Sequence, residues 1–126
     1  MSSSSGLTPS RLNANKVGSL IGQFSIGPSV PTFAATVALV PDVPVQQLNG
    51  VNTTSATCTV TAGIAYGLLV VICKADASGT VTYTFGTGFK STGTAAPTAG
   101  KTIVVAFIGD GTNYFEFARS ASAITG

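Results

Sequence analysis

From Ala56 to Ala62 the chain reads ATCTVTA, and from Thr80 to Phe85 it reads TVTYTF. In both runs the side-chain character changes at every step. Thr57, Thr59 and Thr61 fall on one side, with Cys58 and Val60 on the other; Val81, Tyr83 and Phe85 oppose Thr80, Thr82 and Thr84. A period of two marks a strand with one buried face, because successive Cβ atoms point to opposite sides of a pleated sheet. The β-branched and aromatic residues that fill these runs suit strands.

Other segments extend the pattern. AATVALV (34–40) is a candidate strand, and VQQLN (45–49), after Pro41 and Pro44, a short edge strand. GLLVVICK (67–74) and KTIVVAFI (101–108) are apolar on both faces, as central strands are. NYFEFAR (113–119) alternates Phe115 and Phe117 against Tyr114, Glu116 and Ala118, which predicts the two phenylalanines in the core. DASG (76–79) supplies turn residues, and Asp110-Gly111 between two apolar runs is a hairpin signal. Residues 86–100 form a longer glycine-rich loop with Phe89 as apolar anchor and Lys90 as exposed charge. Short strands with turns between them predict an all-β fold, a sandwich or barrel, over residues 34–126. Its expected core is Val60, Leu69, Val71, Val81, Phe85, Val105, Phe107, Phe115 and Phe117.

Residues 1–33 differ. Five of the six prolines lie between positions 9 and 44, and proline resists helix and sheet interiors. Val17, Leu20, Ile21, Phe24 and Ile26 are nevertheless apolar and need a partner. An extended N-terminal arm that packs on something else fits this better than a linker, with Asn15–Ile21 its one candidate helix. MSSSSGLTPSRLNANK has no basic start followed by an apolar stretch, so it does not read as a signal peptide.

The inventory of reactive groups is thin. The chain of 126 residues has no histidine, and its acids are Asp42, Asp76, Asp110 and Glu116. Without histidine neither a hydrolytic triad nor a cysteine–histidine pair can be assembled, and two cysteines make no zinc site. A calcium loop needs about six oxygen ligands, more than Asp110 and Asn113 with their neighbours offer, so the segment around them reads as a turn. GTGFKSTG (86–93) matches neither phosphate-binding glycine spacing, and the sequon NTT (52–54) means little without secretion. No enzyme, cofactor or metal is expected. A net charge of +2 without any Lys/Arg cluster argues against nucleic acid, and no apolar run approaches a membrane span of about 20 residues. Cys58 and Cys73 sit in apolar runs; a disulfide is open in principle, and buried reduced thiols are preferred.

Charged residues make up 8% of the chain, against about 25% in an ordinary soluble domain. A small body with so little charge covers its apolar surface poorly alone, which predicts self-association or assembly into a larger particle.

The segment 79–120 carries a more specific pattern: the strand Thr80 to Phe85, then Gly86, Phe89 and Thr92-Gly93-Thr94, then Ala99-Gly100-Lys101 and an apolar strand, then Asp110 to Tyr114, closing with Phe117 to Ser120. In this it resembles a recurring β-module of tailed-bacteriophage virion proteins: capsid decoration (cement) proteins, head fibres and tail-associated proteins. Fainter similarity reaches back to about residue 35 and leaves out the arm. The resemblance implies a sandwich or jelly-roll-like protomer, usually a homotrimer, that binds other virion proteins and has no catalytic residues. It implies a capsid decoration protein that binds the major capsid protein and stabilises the shell. Such a protein would be made in the host cytoplasm and reside on the capsid surface. The alternative is a tail or head fibre module that recognises host surface carbohydrate. The residues expected at a partner interface are Arg11, Lys16, Leu20, Ile21 and Phe24 in the arm, with Lys90, Asn113 and Tyr114 as loop-tip contacts.

Overall fold

The computed structural model describes residues 28–51, 54–120 and 124–125. Every regular element in them is a strand: β1 (Thr36–Ala38), β2 (Val45–Gly50), β3 (Ser55–Thr59), β4 (Tyr66–Ala75), β5 (Thr82–Phe85), β6 (Phe89–Lys90), β7 (Lys101–Asp110), β8 (Tyr114–Arg119) and β9 (Ile124–Thr125). The protein is all-β, as the alternating runs predict. The candidate helix at Asn15–Ile21 lies outside the described residues.

The chain winds between two sheets. β1, β3 and β5 form a three-stranded sheet, while β2 and β4 belong to a six-stranded one. The pairs β1–β3, β3–β5 and β2–β4 are all parallel. Each strand therefore crosses to the opposite sheet, and the next one returns beside its predecessor, the winding of a β-solenoid. A jelly roll sets its neighbours antiparallel, so the jelly-roll-like protomer that the resemblance implies gives way to a coil. Alternation reports which face of a strand is buried and carries no information on the direction of its neighbour.

One hairpin interrupts the coil. The ten-residue β7 pairs antiparallel with β4, from Tyr66↔Asp110 to Lys74↔Thr102. It turns after Asp110 and returns as β8, which pairs antiparallel with β7 and parallel with β6. The sheet order is β2-β4-β7-β8-β6, with β9 on the edge of β7. The hairpin thus lies between β4 and β6. Within segment 1–33, Ser29 bridges Gln46 in parallel and the Phe33 ring meets Tyr83 edge-on, so both lie against the sheets.

The inner faces share one core. Val37, Cys58 and Tyr83 come from the smaller sheet; Leu48, Leu69, Val71, Cys73, Val105 and Phe107 come from the larger. The rings of Phe85, Phe89 and Phe107 contact one another at centroid distances of 4.9–5.4 Å, tilted or edge-on, and such pairs add about 0.5–1.5 kcal/mol each beyond burial. Cys58 and Cys73 are free and buried. Burial pushes the Cys58 thiol up to about 12 and raises Cys73 as well, so both behave as small hydrophobes.

Tyr83 ties the sheets together. From β5 its hydroxyl lies 2.5 Å from the Lys74 carbonyl oxygen of β4 and 3.1 Å from that of Leu48 in β2. Burial raises its pKa, which keeps the proton available for donation. Gly50 makes the space: a Cβ there would overlap the Tyr83 hydroxyl and come within 2.6 Å of a Val81 methyl.

The phase of β8 is the reverse of the expected one. Tyr114 is 4% exposed and buried, whereas Phe115 and Phe117 are 40% and 60% exposed. The cause is Gly109, opposite Tyr114 in the β7–β8 register. A Cβ on Gly109 would collide with the Ala65 carbonyl oxygen at 2.0 Å and stand 2.9 Å from the Tyr114 ring, so the missing side chain lets both lie there. That ring packs inward on Phe89, 6.1 Å between centroids.

Two stability measurements follow from this packing. Phe107→Ala should lower the unfolding free energy by about 3–5 kcal/mol in urea titration, and Phe115→Ala by under about 1 kcal/mol. Equal losses would contradict the β8 phase. Tyr83→Phe should cost about 1–2 kcal/mol, and Gly50→Ala about 1–3 kcal/mol. The double variant should cost less than their sum, because the added methyl collides with the hydroxyl that is removed.

Candidate functional site

The Asp110–Asn113 corner is built for chain reversal. One Asp110 carboxylate oxygen, Oδ1, accepts from the Thr112 and Asn113 amides at 2.9 and 2.8 Å, and the Asp110 amide donates to the Asn113 carbonyl at 3.1 Å. Gly111 adopts φ of 89°, which L side chains rarely take. The Asn113 amide, then that of Thr112, holds the Asp110 carboxyl below its usual range. This oxygen is committed to the turn.

The expected loop-tip contacts divide. Lys90 is exposed and Asn113 half-buried, whereas Tyr114 is buried in the core and not at the loop tip. Arg11, Lys16, Leu20, Ile21 and Phe24 lie outside the described residues.

A polar clamp stands next to this corner, and sequence reasoning passed over it. Arg119 grips Glu116 through two bonds, Nε to Oε2 at 2.7 Å and Nη2 to Oε1 at 2.8 Å. Glu116 also accepts from the Thr92 amide and hydroxyl, each at 3.0 Å. Arg119 donates onward to the carbonyls of Thr94 and Gly93, at 2.8 and 3.1 Å. The loop after β6 is thereby fixed to β8. Residues three apart on a regular strand face opposite ways. A bulge resolves this: Glu116 pairs with Phe107 and Arg119 with Val105, with the register shifting between Ala106 and Phe107. Phe117 is the additional residue, and Glu116 and Arg119 come to one side. A bulge has no signature in the run NYFEFAR, so only the Glu-x-x-Arg spacing hinted at the pair.

On the other side of the larger sheet lies an apolar face. The register aligns Leu68, Ile108 and Phe115 in one row, Val70, Ala106 and Ala118 in the next, and Ile72 with Val104 in a third. Leu68, Ile108, Phe115 and Phe117 are exposed, and Tyr66, beside Gly111, is 84% exposed. The doubly apolar composition of β4 and β7 predicts burial on both faces. They are central strands, yet Leu68 and Ile108 stay exposed at one end of their outer face, while Thr102 at the other end is buried.

Among the described residues no group of three or more His, Cys, Asp or Glu could hold a metal ion. Compared with protein-family models, curated proteins and solved structures, the chain finds no match.

The clamp makes stability depend on acid. Arg119, above all, lowers the Glu116 carboxyl from 4.5 to about 2. A carboxyl depressed in the folded state stabilises fully above its unfolded pKa, and this contribution fades as pH falls through the folded one. Wild-type melting temperature should therefore drop between pH 4.5 and about 2, and Glu116→Gln should flatten that part of the profile while lowering the plateau at neutral pH. A variant profile parallel to wild type over this window would contradict the clamp.

Proposed function

We propose that this chain is a non-enzymatic structural protein of a phage virion, a capsid decoration protein that binds the shell as an oligomer and stabilises it. The observation that carries this reading is the pattern of residues 79–120, from the Thr80–Phe85 strand to the Asp110–Tyr114 corner. The physical features accord with a protein that acts by contact. Its loop after β6 is clamped by Glu116 and Arg119, and an apolar sheet face stands open. Many shallow contacts on a repeating shell add up through multivalency. The arm, with Arg11, Lys16, Leu20, Ile21 and Phe24, is the proposed contact to the major capsid protein.

One observation favours the fibre alternative. Tyr66, exposed beside the Gly111 turn, offers a ring on which a sugar could stack. A glycan array with no signal above background would remove that reading.

The decisive assay is co-sedimentation of the purified protein with capsids of the phage that encodes it. Saturable binding is expected, reduced by the double charge reversal Arg11→Glu/Lys16→Glu and abolished when residues 1–27 are removed. Decoration unaffected by both changes would refute the arm as the contact, and absence of binding by the intact chain would refute the decoration role.

A further inference from the structure

We propose that residues 20–26 dock on the outer edge of β1 as one more parallel strand, extending the smaller sheet and the coil by a rung. The inference does not rest on the virion reading; it narrows the proposed arm contact to Arg11, Lys16 and Ile21.

The smaller sheet ends at β1 and β5, the larger at β2 and β6. Three of these edges are blocked. Beyond β2 lies Ser29, which bridges Gln46 and stands between Pro28 and Pro31, two residues without an amide donor. Beyond β5 runs the segment from Ala95 to Pro97, whose end carbonyls accept the Tyr83 and Val81 amides. β6 is two residues long and carries the exposed Lys90. Short edges, prolines and lysines are the usual guards against a further strand. β1 has neither proline nor lysine; its sequence is TVA. The Thr57 amide donates to the Ala35 carbonyl and the Leu39 amide to that of Thr59, so odd-numbered residues bond β3. The amides and carbonyls of Thr36 and Ala38 face the other way, and among the described residues no strand pairs with them there.

The winding selects the segment that belongs on this edge. Ser29 stands one rung before β2 in the larger sheet, and β1 follows it in the smaller. A chain that alternates between sheets reaches Ser29 from the smaller sheet, on the far side of β1. The crossings shorten towards the N-terminus. From Thr59 to Val71 the chain advances twelve residues; one turn earlier, from their partners Ala38 to Gln46, it advances eight. A crossing of eight residues before Ser29, or of four if the shortening continues, puts the partner of Ala38 at position 21 or 25. The partner of the buried Val37 is then Leu20 or Phe24.

The sequence suits either register. In LIGQFSI (20–26) Leu20, Phe24 and Ile26 share one parity, while Gln23 and Ser25 share the other with Ile21. Both registers turn the Leu20 and Phe24 side towards the core and the Gln23 and Ser25 side outwards. Residues 10–27 hold no proline, so every amide of such a strand can donate.

Amide hydrogen exchange of the full-length chain, resolved by residue in NMR spectra, tests this. Thr36 and Ala38 should exchange slowly, as hydrogen-bonded strand amides do. The double variant Leu20→Asp/Phe24→Asp should speed both by about tenfold to a hundredfold and leave Val71 and Phe107 unchanged. Gln23→Asp/Ser25→Asp, on the outward side, should change neither pair. Native Thr36 and Ala38 amides that exchange as fast as those of an unstructured peptide would overturn the proposal. So would protection indifferent to Leu20→Asp/Phe24→Asp, which would give the edge to another strand. A nitroxide on Gln23→Cys measures proximity without touching the inward side, since Cys58 and Cys73 are buried. It should broaden the Thr36 and Ala38 amides of its own chain. Broadening in an isotope-labelled native chain mixed with the unlabelled nitroxide-bearing chain would assign the strand to a second copy and overturn docking within one chain.

Discussion

The Tyr83 hydroxyl holds the two sheets together within a largely apolar core. Its reach from β5 to carbonyls of β2 and β4 gives a buried polar link between layers. The link requires a missing side chain at Gly50 and a ring braced by Phe33. Tyr83 also exchanges both backbone bonds with Ala95, at 2.8 and 2.9 Å, which brings the chain after the clamped loop back to the smaller sheet. A buried polar group of this kind adds specificity to a core whose apolar contacts could slide, because its partners sit at fixed positions.

The coil and the hairpin depend on this layer spacing. Successive turns of the coil place β1, β3 and β5 on one side and β2 and β4 on the other. The β7–β8 hairpin extends the larger sheet beyond the smaller one and fills the space between β4 and β6. The larger sheet therefore has an outer face broader than a short coil would present. Its inner face is closed by Phe85, Phe89 and Phe107; on its outer face Leu68, Ile108 and Phe115 are exposed.

Much of this was legible in the sequence, and the misses have physical causes. The strands at 45–49, 67–74 and 101–108 and the buried positions Val60, Val81 and Phe107 follow from period-two alternation and from doubly apolar runs. The corner at Asp110-Gly111 is a turn, as hairpin chemistry predicts. What alternation could not give is strand direction, so the parallel winding was missed. The phase of β8 was missed because its run alternates apolar residues on both parities, Tyr114 against Phe115. The decision between them belongs to Gly109 on the partner strand, a tertiary effect. The Glu116–Arg119 clamp was hidden by a bulge, which shifts parity without leaving a mark in composition.

The central claim is that two unequal sheets, joined at Tyr83, form one cooperative body. Native-state hydrogen exchange across a denaturant series tests it most directly. The account predicts that the amides of Tyr83 and Cys58 in the smaller sheet and of Val71 and Phe107 in the larger exchange with one common free energy, that of global unfolding. Exchange from β3 and β5 at a distinctly lower free energy than from β4 and β7 would show that the smaller sheet opens on its own, and would contradict it.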